Sequence, residues 1–166
     1  CAWRFASVRC FNPIGANPNL VARGELLTSQ NDLMTNIIRV ALGAQTRLTV
    51  YGDDYATPDG SPMRDYVHVM DVAEGIINCM LKLKINSIGA INIGSGKATT
   101  VHELVSLFEG ATDIKIATET FSRRPADAGV SFADVGKAVK EINWDPQCSL
   151  EEMCLDHWLS YTKQNE

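Results

Sequence analysis

An α/β fold is predicted by three features: stretches with helical apolar spacing alternate with short extended runs along the whole chain, no unit recurs, and no low-complexity run breaks the alternation. With 166 residues, 45% of them hydrophobic, there is material for one core, so residues 1–166 are read as a single region.

Phe5 to Phe11 reads as a strand, and Asn12-Pro13-Ile14-Gly15 as the turn that ends it. Asn31 or Asp32 can cap a helix that places Leu33, Ile37 and Val40 on one face, and Arg47 to Gly52 alternates like a strand. Residues 53–63 form a polar loop rich in Pro and Gly. Tyr66 to Val69 is extended, and Asp71 is read as the cap of a helix whose stripe is Val72, Ile76, Met80 and Leu83. Ala90 to Ile93 is a buried strand. Thr100 and Glu103 make a capping box for a helix carrying Val101, Leu104, Val105 and Phe108, and Ser149 and Glu152 repeat the device. The last helix turns Leu150, Met153, Cys154, Trp158 and Tyr161 inward.

Charge and composition narrow the function. A net charge of -5 gives no general basic field, so nucleic acid is not an expected partner and any phosphate site must be local. Five cysteines at uneven spacing, with no CxxC pair, suit a reducing compartment, and the cytoplasm is the expected location. No apolar stretch approaches the roughly 20 residues that span a bilayer, so no membrane partner is expected. The first residues lack the blocks of a signal peptide. The chain opens without Met and already in a strand, an opening read as a truncation.

Few residues can carry chemistry. Gly94-Ser95-Gly96 lies between a strand and a helix and can in principle cradle a phosphate, but Thr99 stands where a dinucleotide loop has its third glycine, and a plain turn is the favoured reading. The three histidines are 34 and 55 residues apart and form no metal-ligand motif. His68, in an apolar strand, reads as structural. Arg64, Arg123, Arg124 and Asp127 are different: guanidinium forks suit a diphosphate, and a carboxylate can accept from both hydroxyls of a ribose. From spacing alone they are equally well read as solvated loop charges.

Four segments decide between these readings. FNPIGANP at 11–18, LTVYGDDYATPDGSPMRDYVHVMDVAEG at 48–75, INIGSG at 91–96 and SRRPAD at 122–127 resemble, in order and spacing, the signatures of UDP-glucose 4-epimerases of the extended short-chain dehydrogenase/reductase family. The resemblance covers almost the whole chain but about the second half of a family member. It implies the C-terminal substrate-binding part of an extended Rossmann-type, NAD-dependent epimerase whose N-terminal dinucleotide-binding core is missing, with strands at 5–11 and 90–93 belonging to the Rossmann sheet.

The resemblance also implies roles. Arg64 and Arg124 hold the UDP diphosphate, Asp127 binds the ribose, Asn12 lies near the sugar and diphosphate, Leu33 offers its N–H to the diphosphate, and Tyr51 flanks the uracil. Ser131 stands beside the hexose, where its small side chain admits an N-acetyl group at C2. Cys10 and Pro13 fall near NAD, which the missing half mostly binds. In an intact member a lysine-activated tyrosine takes the proton of the sugar 4-hydroxyl while NAD removes hydride from C4, and the 4-keto sugar turns over before receiving it back. UDP-glucose and UDP-galactose are interconverted, as in galactose metabolism. These residues contain no Tyr-x-x-x-Lys and no catalytic residue is assigned, so the chain alone is expected to be inactive. Family members are often homodimers.

Four departures keep alternatives open. Cys10 replaces a tyrosine near the nicotinamide, Asp32 puts a carboxylate near the diphosphate unless it caps its helix, NLVARGELLTSQ at 19–30 replaces a glycine-rich insert, and Pro125-Ala126 replaces Glu-Gly. A non-catalytic UDP-sugar-binding or interaction module, and an epimerase or dehydratase of a related nucleotide sugar, are the alternatives.

Overall fold

The computed structural model describes residues 3–19, 32–84 and 86–162; Asn31 and residues 20–30 of the replaced insert lie outside the described residues. The first half contains β1 (Ala6–Cys10), β2 (Asn12–Ile14), α1 (Leu33–Ala41), β3 (Leu48–Tyr51), β4 (Met63–Arg64), β5 (Tyr66–His68) and α2 (Val69–Leu83). The second contains β6 (Gly89–Ile93), β7 (Thr99–Thr100), α3 (Val101–Thr112), β8 (Thr118–Phe121), β9 (Val130–Ser131), α4 (Gly136–Ile142) and α5 (Leu150–Thr162). Parallel pairs join β1 to β6, β2 to β5 and β3 to β8. β4 runs antiparallel to β7 and parallel to β9.

Side chains alternate across a strand, and β5 uses this to separate two cores. Tyr66 faces a cluster built from Met34, Ile37 and Ile38 of α1, Leu104 and Phe108 of α3, and Met153 and Cys154 of α5. Val67 faces the other, built from Val72, Cys79, Ile91, Ile93, Ala138, Ile142 and Trp144. The expected capping boxes both close. Thr100 Oγ1 accepts from Glu103 N at 3.0 Å, with the Glu103 carboxylate returning to Thr100 N, and Ser149 and Glu152 exchange the same two bonds. Among the described residues no helix is long and apolar enough to cross a membrane.

Three expectations are corrected. Asn12-Pro13-Ile14 is strand rather than turn: it pairs with Tyr66 to His68, and the break falls on Gly15 alone, at φ 82°. Proline is tolerated because, among the described residues, the strand pairs with β5 alone, so the missing N–H costs no second ladder. A side chain at Gly15 would meet the His68 ring at 2.4 Å, so glycine is required for space as well as for its dihedral.

The cap of α2 is His68, whose Nδ1 accepts from Met70 N, and not Asp71. Asp71 lies buried in the first turn and accepts from the backbone N–H groups of Gln147 and Cys148, while its carbonyl takes the indole N–H of Trp144. The carboxylate thus ties α2 to the loop before α5. The buried side of α2 is also rotated from expectation: Val72, Gly75 and Cys79 face the core, whereas Ile76 and Met80 are 40% and 64% exposed. The small Gly75 allows the helix to approach Ile93 and Trp144, which a stripe counted by large apolar residues overlooks.

Candidate functional site

α1, β3, the segment 62–66 that carries β4 and the start of β5, and the turn at 124–127 line a cavity of about 540 Å³. Three guanidinium groups, Arg39, Arg64 and Arg124, and two carboxylates, Asp32 and Asp127, stand in its wall, which leaves a net charge of +1. Asn12, Leu33, Tyr51 and Tyr66 line it as well.

The arginines are held in place by local structure. Arg64 donates to its neighbour's carbonyl at Met63 and pairs with Asp127. Arg124 lies over the Tyr51 ring, 4.0 Å from the centroid, as a cation over a π face. Arg124 and Asp127 are the ends of one tight turn, closed by the N–H of Asp127 on the Arg124 carbonyl at 3.2 Å. Pro125 presets the backbone angle at the second position, and Ala126 takes φ 62° at the third, where glycine is the usual choice. The turn therefore carries a strained alanine and directs both charged side chains to the same cavity. Arg123, the other arginine of the pair, turns away to Asp54 and stacks on Tyr55.

Asp32 answers the concern raised by its charge. It is the N-cap of α1, and its Oδ2 accepts from Thr35 N at 2.9 Å and Thr35 Oγ1 at 2.6 Å. Leu33, the first helical residue, belongs to the turn whose N–H groups have no intrahelical acceptor. Asn12 donates its side-chain amide to the carbonyl of Asp65 at 2.8 Å, which leaves Oδ1 as an acceptor in the cavity wall. Burial raises the phenol pKa of Tyr66 far above its ordinary value, with Arg64 opposing, so the ring presents a neutral hydroxyl. Tyr66, Asn36, Arg39 and Gln45 were not singled out from sequence; the DY of Arg64-Asp65-Tyr66 was the available signal for the first, and helical spacing from Asp32 for the next two.

Ser131 stands outside the cavity lining, in β9, in register with Arg64. Cys10 is exposed at the end of β1 and Pro13 is exposed in β2, and neither lines the cavity.

The glycine turn at 94–96 is occupied by an anion from the chain itself. Asp65, fully buried, accepts on Oδ1 from Ser95 N and Ser95 Oγ, each at 2.6 Å, and on Oδ2 from Gly96 N at 2.9 Å and Ala133 N at 3.0 Å. A side chain at Gly94 would meet Asp65 Oδ2 at 2.6 Å. The N–H groups of the turn read from the sequence as a candidate phosphate cradle thus hold a structural carboxylate.

Comparison with known proteins shows which family has this scaffold. The family model for GDP-mannose 4,6 dehydratase matches residues 4–157, and the chain belongs to that family. A UDP-glucose 4-epimerase of Cyamopsis tetragonoloba is 42% identical over 158 residues, 94% of this chain and 45% of the relative. A bifunctional UDP-glucose and UDP-xylose 4-epimerase of Pisum sativum is 43% identical over 166 residues, 98% of this chain and 47% of its own. The structure of UDP-glucose 4-epimerase from Bifidobacterium longum in complex with NAD+ and UDP superposes with a TM-score of 0.87 at 31% identity, covering 98% of this chain and 48% of that one. That from Stenotrophomonas maltophila, with bound NAD and formylated UDP-arabinopyranose, gives 0.86 at 35%, covering 93% and 46%. The resemblance to UDP-glucose 4-epimerases read from the sequence is thereby borne out, and the chain spans about half the length of these relatives.

Asp65→Ala is expected to lower unfolding stability by more than about 3 kcal/mol, because buried N–H donors lose their acceptor. Urea denaturation of the protein at its natural length measures this. A loss under about 0.5 kcal/mol would show that the turn does not depend on the carboxylate.

Proposed function

We propose that the cavity binds the UDP portion of a UDP-hexose, and that the chain is the substrate-gripping part of a UDP-hexose 4-epimerase. The observation that carries the reading is the convergence of Arg64 and Arg124 with Asp127 and Tyr51 in one cavity of net positive charge. Two guanidinium forks and the N–H of Leu33 suit a diphosphate, Asp127 suits the ribose hydroxyls, and the Tyr51 face suits the uracil. Asn12 Oδ1 and the Tyr66 hydroxyl border the end toward the hexose. Reversible inversion at C4 needs the diphosphate fixed while the hexose turns over, and a grip confined to the nucleotide and phosphates satisfies both needs.

NAD, when bound, supplies the hydride acceptor. Its site and the Tyr-x-x-x-Lys pair are assigned to a dinucleotide-binding half outside these residues, with β1 and β6 as strands of its sheet and Cys10 and Pro13 at its border. Residues 1–166 alone are then inactive. UDP-glucose and UDP-galactose are the proposed substrates.

Arg124→Ala is expected to weaken UDP binding by about 2–4 kcal/mol, since a desolvated phosphate charge loses its partner. Calorimetric titration of UDP into the protein at its natural length tests it, and unchanged affinity would remove Arg124 from the diphosphate site.

Ser131 is proposed to leave room for an N-acetyl group at C2; its strand register with Arg64, one of the two arginines proposed for the diphosphate, supports the reading although Ser131 itself does not line the cavity. Ser131→Tyr should then depress kcat/KM for UDP-N-acetylhexosamines while sparing UDP-glucose. Equal losses for both sugars would mean that the position does not set specificity.

A further inference from the structure

The sequence singles out the polar loop at 53–63 and Arg123, yet of these residues only Pro62 stands in the cavity wall. The loop is closely built all the same. Asp59 accepts on Oδ1 from Ser61 N at 2.9 Å and Ser61 Oγ at 2.7 Å, and on Oδ2 from the hydroxyl of Thr100, the cap of α3. Tyr55 N donates to the carbonyl of Gly60 at 3.0 Å, which closes the loop on itself. What the loop presents to the rest of the chain is the Tyr55 ring, buried to 7% exposure.

Three other pieces of chain meet that ring. The Arg123 guanidinium lies over its face, 4.1 Å from the centroid, and a side chain at Gly52 or Gly129 would come within 2.5 or 3.0 Å of its edge. Arg123 and Gly129 bracket the turn from Arg124 to Asp127, so the segment bearing the turn rests on one ring at both ends. Gly129 is fixed again by its carbonyl, which accepts from Met63 N at 2.8 Å. The turn needs such support, because Ala126 holds φ 62° and a strained dihedral persists only where its surroundings over-determine it. Arg123 also pairs with Asp54, but both side chains are exposed and solvent screens the pair, whereas the buried ring gives Arg123 a fixed surface.

Resting on the UDP reading above, we propose that Tyr55 is a positioning residue for the diphosphate grip. Its face holds Arg123, and through Arg123 and Gly129 it fixes the turn that aims Arg124 and Asp127 into the cavity. The two arginines of the pair divide the work: Arg123 seats the backbone on Tyr55, and Arg124, next in the chain, lies over Tyr51 in the cavity wall. With the seat removed the turn samples other arrangements, and the apparent affinity falls by the fraction of molecules that still hold the competent one. The ring face acts here and the hydroxyl does not. Tyr55 Oη is buried and, among the described residues, has no hydrogen-bond partner, so its removal breaks no contact.

Calorimetric titration of UDP into the protein at its natural length tests this for the native sequence, Tyr55→Phe, Tyr55→Leu, Arg123→Met and the double variant Tyr55→Leu/Arg123→Met, with a urea unfolding curve for each. Tyr55→Phe should bind UDP as the native protein does. Tyr55→Leu and Arg123→Met should each weaken UDP about fivefold although neither residue lines the cavity, and the double variant should be no weaker than Tyr55→Leu, because both act through one contact. A loss caused only by the charge of Arg123 would add to that of Tyr55→Leu. Should Tyr55→Leu fail to fold, Arg123→Met at its exposed position carries the test: its loss should persist in about 0.5 M salt, where a long-range charge effect is screened. UDP affinity within about twofold of native in folded Tyr55→Leu and Arg123→Met, even with lowered urea midpoints, overturns the positioning role. So do additive losses in the double variant, a Tyr55→Phe as weak as Tyr55→Leu, or an Arg123→Met loss that salt abolishes; each leaves the UDP site standing. Failure of the native protein to bind UDP overturns both.

Discussion

The buried carboxylate of Asp65 is the contact on which the site depends. Its two oxygens collect four hydrogen bonds from Ser95, Gly96 and Ala133, and its carbonyl takes both the backbone and side-chain N–H of Asn12. One residue thereby joins the start of β2, the turn after β6 and the segment after β9. Arg64 precedes it and Tyr66 follows it, so the residues on either side inherit a fixed backbone. A carboxylate so placed is stabilising only when every oxygen is served, because an unpaired charge in that position costs several kcal/mol. Its demand for N–H donors explains why a glycine-flanked turn lies beside it, where no side chain can intrude.

Around that anchor the binding groups are arranged before any ligand arrives. Arg64 is paired with Asp127, and Arg124 rests on Tyr51. Both arginines therefore begin in ordered positions; on the proposed reading this lowers the side-chain entropy lost on binding but requires a phosphate to compete with an existing partner. The competition is favourable where two guanidiniums meet one diphosphate, because charge-assisted bidentate bonds are among the stronger available contacts. The tight turn from Arg124 to Asp127 makes this arrangement compact, and Ala126 accepts an uncommon dihedral to keep both its ends facing inward.

Much of this was legible in the chain. The α/β alternation, the capping boxes at Thr100 and Ser149, and the helix starting at Asp32 follow from local chemistry, and local chemistry is what a linear reading sees. The misreadings have a common cause in tertiary contacts. Asn12-Pro13-Ile14 carries turn residues yet is strand because β5 supplies a partner 54 residues away. Asp71 has the composition of a cap, but a loop more than 70 residues downstream claims its carboxylate. Gly75 and Cys79 are too small to register in an apolar count, although their size lets α2 settle on the core. In the site, Arg64, Arg124 and Asp127 were identifiable by chemistry and resemblance, whereas Arg39, Gln45 and Tyr66 became visible only once α1 and β3 closed the cavity around them.

The most direct test of the account is the crystal structure of the protein at its natural length with saturating UDP. The account predicts the diphosphate between Arg64 and Arg124, the uracil against Tyr51 and the ribose hydroxyls at Asp127. UDP bound elsewhere, or the cavity empty at saturation, would contradict it.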